Sequence, residues 1–120
     1  MKYPLVLEMG TGTALRSGSY TKAACRAVRD ALWKNAIYIA DVFDVDKSRM
    51  QVSVEIACQN PDQVDLDAVV REFPYGTVDA KAVQGGLDIA RPSEGDGPPT
   101  LMAHAAIRVG LDLVGKEANA

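Results

Sequence analysis

From Leu101 to Leu113 the chain puts an apolar residue at every odd position: Leu101, Ala103, Ala105, Ile107, Val109, Leu111 and Leu113. A period of two lines up one face of a strand, whereas a helix needs three- and four-residue spacing. The alanines in this run favour a helix locally, but an unbroken period over that length outweighs propensity. The stretch is expected to be a long strand with one buried face. His104, Arg108 and Asp112 share its other face.

The chain opens with the short apolar block PLVLEM, which reads as a buried strand. The run GTGTALRSGS follows, and its Gly10 and Gly12 predict a tight turn or a place where a ligand approaches the backbone. Ser19 stands at the N-cap of a helix running from Tyr20 to about Ile37. Its seam is Tyr20, Ala24, Ala27, Val28, Ala31, Leu32 and Ala36, while Lys22, Arg26, Arg29, Asp30 and Lys34 lie mostly off it. So many alanines predict a helix lying close against a sheet. The open amides at its start are the first place to look for a small anionic or polar ligand.

Residues 38–49 read as an irregular connection whose Asp41, Asp44 and Asp46 form a solvated acidic loop, because no calcium-loop pattern completes them. Met50, Val52, Val54, Ile56 and Cys58 alternate with Gln51, Ser53 and Glu55, which predicts a second, half-buried strand. Asn60-Pro61 breaks it. Asp65 caps a short helix buried through Leu66, Val69, Val70 and Phe73, which stops before Pro74 at a Tyr75-Gly76 turn. Thr77 to Gln84 is a third strand, bent at Gly85-Gly86, and residues 91–99 form a polar loop. The expected domain spans residues 1–114, with a frayed tail at 115–120.

The expected class is α+β, with the order β-α-β-α-β-β. Two helices would cover one face of a four-stranded mixed sheet, and the last two strands would pair antiparallel. The uncovered face is expected to carry Glu8, Gln51, Ser53, Glu55, Asp79, Lys81, His104, Arg108 and Asp112. It is either solvated or closed by further copies, and cavities at such boundaries commonly hold ligands.

A net charge of −3 without a basic stripe argues against nucleic acid. No apolar stretch is long enough to cross a bilayer, and no secretion signal is seen, so a cytoplasmic location is expected. Cys25 and Cys58 lack metal-like spacing and a histidine at a readable distance, so no metal and no thiol chemistry is expected. Gly10-Thr11-Gly12 completes neither a dinucleotide fingerprint nor a P-loop, and no cofactor is expected. His104 is the only histidine, either a general base or the cap of a neighbouring carboxylate. Lys22 stands in the first turn of its helix, where the dipole disfavours a cation. It binds an anionic group, acts as a base, or is simply solvated.

The run GTGTALRSGSYTKAACRAVRDAL, with FPYGTV and VQGGL, resembles a small family of conserved hypothetical proteins from bacteria and plants, named after a listerial reading frame. The resemblance covers most of the chain. The family pattern is Gly-x-Gly-x-Asp-x-His-Gly followed by Thr-Lys-Ala-Ala. Gly10, Gly12, Thr21, Lys22, Ala23 and Ala24 keep it; Ala14, Arg16 and Ser17 depart from it. Whatever the family's aspartate and histidine do is therefore lost or altered here, and the resemblance implies no activity. The element order also resembles the trimeric bacillus-type chorismate mutases and the single domains of ring-opening cyclic amide hydrolases. The serine–lysine pairs of those hydrolases are not matched, since Gln84 precedes Gly85 and Gly86.

These readings converge on a small homo-oligomer, a trimer in form, with a small-molecule pocket at each subunit boundary. Gly10, Gly12, Arg16, Ser19, Thr21, Gln84, Gly85, Gly86 and Arg108 would bind the ligand, with Lys22 or His104 as base. The expected chemistry is acid–base or hydrolytic, on a small polar cyclic or carbonyl metabolite. The alternative is a non-catalytic ligand-binding or regulatory subunit.

Overall fold

The computed structural model describes residues 4–34, 49–74, 76–91 and 97–111. Strand β1 (Pro4–Ala14) leads to helix α1 (Tyr20–Lys34), then β2 (Met50–Cys58), a 3-10 turn (Pro61–Gln63) and helix α2 (Leu66–Val70). Strands β3 (Thr77–Gln84), β4 (Leu87–Ile89) and β5 (Thr100–Leu111) follow. The structure is α+β, with a mixed sheet in the order β1-β5-β2-β3.

The final strand lies in the middle of the sheet. β5 runs antiparallel to both β1 and β2, so those two are parallel to one another with β5 between them. β2 and β3, joined through α2, pair in parallel. The strands Thr77–Gln84 and Thr100–Leu111 are therefore not neighbours, contrary to the expected antiparallel pairing of the last two strands. The short β4 takes that role and makes a fifth strand, pairing Leu87–Ile89 with Thr100–Met102 where β2 has ended. Gly85-Gly86 permits the crossing. A Cβ on Gly86, whose φ is +62°, would sit 2.3 Å from the Met102 carbonyl and 2.9 Å from that of Ala57.

Alternation fixes the faces. Met50, Val52, Val54, Ile56 and Cys58 of β2 and Leu101, Ala103, Ala105, Ile107 and Val109 of β5 are buried beneath the helices. Ala23, Ala24, Ala27, Val28 and Ala31 of α1 and Val69 of α2 close the same core. Removing Ile56, Ile107 or Val28 from water contributes about 1.5–3 kcal/mol each. Ser19 caps α1 as its sequence predicts, its Oγ accepting from Lys22 N–H at 3.1 Å. Asp65 Oδ1 caps α2, accepting from the amides of Asp67 and Ala68. α2 ends at Val70, earlier than expected, and Glu72 and Phe73 continue as turn residues bonded to the carbonyls of Val69 and Val70.

The largest departure concerns Gly10 and Gly12. They form no turn: β1 continues through both to Ala14. A Cβ on Gly10 would meet the Ala27 carbonyl oxygen at 2.2 Å and Ala31 N at 2.6 Å. One on Gly12 would meet Ala27 N at 2.2 Å and the Ala23 carbonyl oxygen at 2.3 Å. These glycines let α1 lie directly on the strand backbone. The same parity puts Glu8 on the helix-covered side, opposite Ile107, and not on the open face.

β1 is an edge strand, and side chains of α1 cover two of its outward backbone groups. Asp30 Oδ2 accepts from Thr11 N–H at 2.9 Å, and Arg26 Nη1 donates to the Thr13 carbonyl at 2.7 Å. The two side chains stand four residues apart on α1 and close the rim against strand addition. The expected end of α1 near Ile37, the acidic loop, Leu113, Asp112 and the tail at 115–120 lie outside the described residues.

Candidate functional site

The sheet face that the helices leave uncovered is a grid set by register. Across β1, β5, β2 and β3 one row reads Leu7, Arg108, Ser53, Asp79; the next reads Met9, Ala106, Glu55, Lys81; the third reads Thr11, His104, Ala57, Val83. The expected polar face is therefore mixed, with Leu7 and Met9 projecting at 55% and 67% exposure. Glu55 Oε2 and Lys81 Nζ pair at 3.0 Å.

A shallow cavity of about 400 Å³ opens on this face, lined by Met9, Gly10, Thr11, Glu55, Ala57, His104, Ala105 and Ala106. His104 Nδ1 and Thr11 Oγ1 share a hydrogen bond of 3.1 Å, whose direction follows the imidazole tautomer. That contact fixes the ring and leaves Nε2 as the nitrogen available to a ligand. Glu55 is the diagonal cross-strand neighbour of His104, so the cavity holds an imidazole and a carboxylate on one wall. Arg108 lies one step along β5 from this wall, between Leu7 and Ser53.

Lys22 and Arg16 belong elsewhere. With Leu15, Ser17 and Arg26 they line a separate cavity of about 420 Å³ at the head of α1. Within one chain, His104 lines one cavity and Lys22 another. Ser19 serves as the helix cap. Thr21 ties α1 to the start of α2, its Oγ1 accepting from Asp65 N–H at 2.9 Å. Gln84 Nε2 donates to the Gln59 carbonyl, and Gln59 Nε2 donates to the carbonyls of Gly85 and Gly86, so these residues knit the β3–β4 bend. Gly12 is buried under α1.

The sequence puts Glu55 and His104 on one face but does not join Thr11 to His104, because the Gly10-Thr11-Gly12 run reads as a turn; Ala57, the β2 residue opposite His104, carries no chemical signal. Arg26 stands one helical turn after Lys22, and that spacing alone could have joined it to Lys22. A further polar cluster holds the end of β2 to α1 and β4. Tyr20 donates to Asp88 Oδ2, and Asn60 Nδ2 donates to Tyr20 Oη at 2.6 Å. Burial first, then Asp88, push the Tyr20 hydroxyl pKa up, and burial pushes up the thiols of Cys25 and Cys58. Among the described residues, no group of three or more His, Cys, Asp or Glu could hold a metal ion, and no helix is long and apolar enough to cross a membrane.

Comparison with known proteins sets this geometry in a family. The chain is similar to a crystal structure of an FtsZ-like protein of unknown function from Nostoc punctiforme. Identity is 31% and the TM-score 0.77, over 88% of this chain and 93% of that one. An FtsZ mutant from M. jannaschii aligns with a TM-score of 0.44 at 13% identity, over 88% of this chain and 28% of that one. No curated protein matches. The pattern of the conserved hypothetical protein family Lin0512_fam matches residues 4–109. The family resemblance read from GTGTALRSGSYTKAA extends over nearly the whole described sheet, and the chain belongs to the Lin0512_fam family of conserved hypothetical proteins.

Proposed function

We propose that this chain is a homo-oligomeric small-molecule-binding protein whose copies meet over the open sheet face and complete the His104 cavity between them. The observation that carries this reading is the placement of exposed Leu7 and Met9 beside the cavity walled by Thr11, His104 and Glu55. Apolar side chains so exposed next to a concave polar site favour burial by a partner surface. The trimer is taken from the likeness of the order expected from sequence, β-α-β-α-β-β, to the trimeric bacillus-type chorismate mutases, an analogy of fold that does not fix function.

In this reading the ligand is a small polar cyclic or carbonyl metabolite. His104 Nε2 is the base for acid–base chemistry, and Arg108 faces any anionic substituent. The non-catalytic alternative uses the same cavity without turnover. Loss of turnover in His104→Ala with ligand binding retained identifies an enzyme, whereas loss of binding alone identifies a binding protein.

The assembly is tested by light scattering at two protein concentrations. A mass near three times 12.8 kDa is expected. Met9→Lys is expected to give a folded monomer. A wild-type chain that remains monomeric overturns the shared cavity.

A further inference from the structure

We infer that the outer edge of β3 pairs antiparallel with the same edge of a second copy, across a two-fold axis at Ala80, and joins two sheets into one. β3 is the last strand of the order β1-β5-β2-β3 and, among the described residues, pairs only with β2. The two edges of the sheet are built differently. On β1, Asp30 and Arg26 occupy the amide of Thr11 and the carbonyl of Thr13. β3 has no such side-chain guard among the described residues. A lysine on a strand edge ordinarily discourages pairing. Here Asp79 stands two residues before Lys81, and the two together are complementary to their own image.

Register follows from charge. Opposite residues of an antiparallel pair share a face, and a two-fold axis normal to the sheet keeps the helices of both copies on one side. Such an axis centres on a residue. Centred on Ala80, it sets Asp79 opposite Lys81 of the second copy, and Lys81 opposite Asp79 of the second copy. Centred on Asp79 or on Lys81, it sets like charges face to face, and no other centre in the strand opposes unlike ones. Lys81 Nζ also holds Glu55 Oε2 at 3.0 Å, so in this register the lysine, 66% exposed, stands between two carboxylates. Asp79 is exposed and makes no side-chain ion pair or hydrogen bond among the described residues. The helix-covered face agrees. Val52, Val54 and Ile56 of β2 are at most 4% exposed, whereas their β3 neighbours Val78, Ala80 and Ala82 are only half-buried. Leu66, Ala68 and Phe73, at α2, are half-buried too. The core is thus open on its β3 side. The same register faces Val78 to Ala82 and Ala80 to Ala80, side chains small enough for close approach. The contact leaves the His104 cavity untouched and is separate from the assembly proposed for the open face.

A contact of two strand edges is smaller than the roughly 1,200 Å² of a stable complex, so it is weak and forms only at high concentration. The test is sedimentation velocity of the full chain carrying Met9→Lys, which removes the face-to-face assembly, from roughly 0.01 to 1 mM. A shift from 12.8 kDa to twice that mass is expected, with no growth beyond it. Asp79→Lys and Lys81→Asp, added singly, should each raise the dissociation constant about tenfold or more with the circular dichroism spectrum unchanged. Mixed in equal amounts the two variants should associate again, because each supplies the charge that the other lacks. The wild-type chain should show the same step as a doubling of the mass it has at low concentration, so the result stands whether or not the open face assembles. The inference is overturned if the mass is unchanged to the top of that range, or if either single variant associates like its parent. It is likewise overturned if the mixture fails to associate, or if association runs on past the doubled mass.

Discussion

The Tyr20 hydroxyl donates to Asp88 Oδ2 at 2.5 Å, joining the first residue of α1 to the middle of β4 across a sequence separation of 68. Asn60 Nδ2 donates to the same hydroxyl. The other carboxylate oxygen, Oδ1, is buried without a hydrogen-bond partner among the described residues. Tyr20→Phe therefore strips a half-buried carboxylate of its donor and should destabilise the fold by about 1–3 kcal/mol, measured by urea unfolding. A loss well under 0.5 kcal/mol would mean that β4 is held by its ladder alone.

The same cluster predicts alkaline sensitivity. Burial and Asp88 raise the folded pKa of Tyr20, and burial raises those of Cys25 and Cys58. Below the ordinary values both states keep these protons and the contribution is complete. As pH rises past about 9 for the thiols and 10 for the phenol, the unfolded chain releases protons first and stability falls. Unfolding free energy measured from pH 7 to 11 should decline from about pH 9. Relative to wild type, Tyr20→Phe should flatten the part above 10. A profile level to pH 11 contradicts the buried network.

Gly12→Ala places a methyl group 2.2 Å from Ala27 N and 2.3 Å from the Ala23 carbonyl, where only main-chain movement can relieve the clash. It should cost about 3 kcal/mol or more and reduce soluble yield. Gly85→Ala meets the Ala57 methyl at 2.8 Å and should be milder. Equal stabilities for the two variants would refute the close seating of α1.

Asp30→Ala exposes the Thr11 amide at the rim of β1. The expected results are a loss of about 1 kcal/mol and association that grows with concentration, read by sedimentation. A variant that matches wild type in both would show that the rim is protected by other means.

The strands that alternate and the helix with an apolar seam were legible, because β2, β5 and α1 each repeat one period long enough to exclude the other. The caps at Ser19 and Asp65 were legible from residue type and place. The seat of β5 was not, since period two gives a face but no neighbour. Gly10 and Gly12 read as a turn because glycine punctuates chains. Their actual requirement, a helix backbone lying on a strand backbone, is a tertiary contact with no local signature. From that reading followed the misplaced Glu8 and the missed Thr11. Lys22 and Arg16 line one cavity because both flank one helix start, while His104 lies on the sheet face away from the helices and within one chain lines another.

The bare strip of β1 under α1 has a mechanical consequence. Because no side chain separates the two backbones at Gly10 and Gly12, α1 has no compressible layer on which to slide or tilt. The Leu15–Ser19 connection therefore leaves a strand and enters a helix whose relative seating is set by main-chain contact, so a change in that connection cannot be absorbed by a shift of α1 along β1.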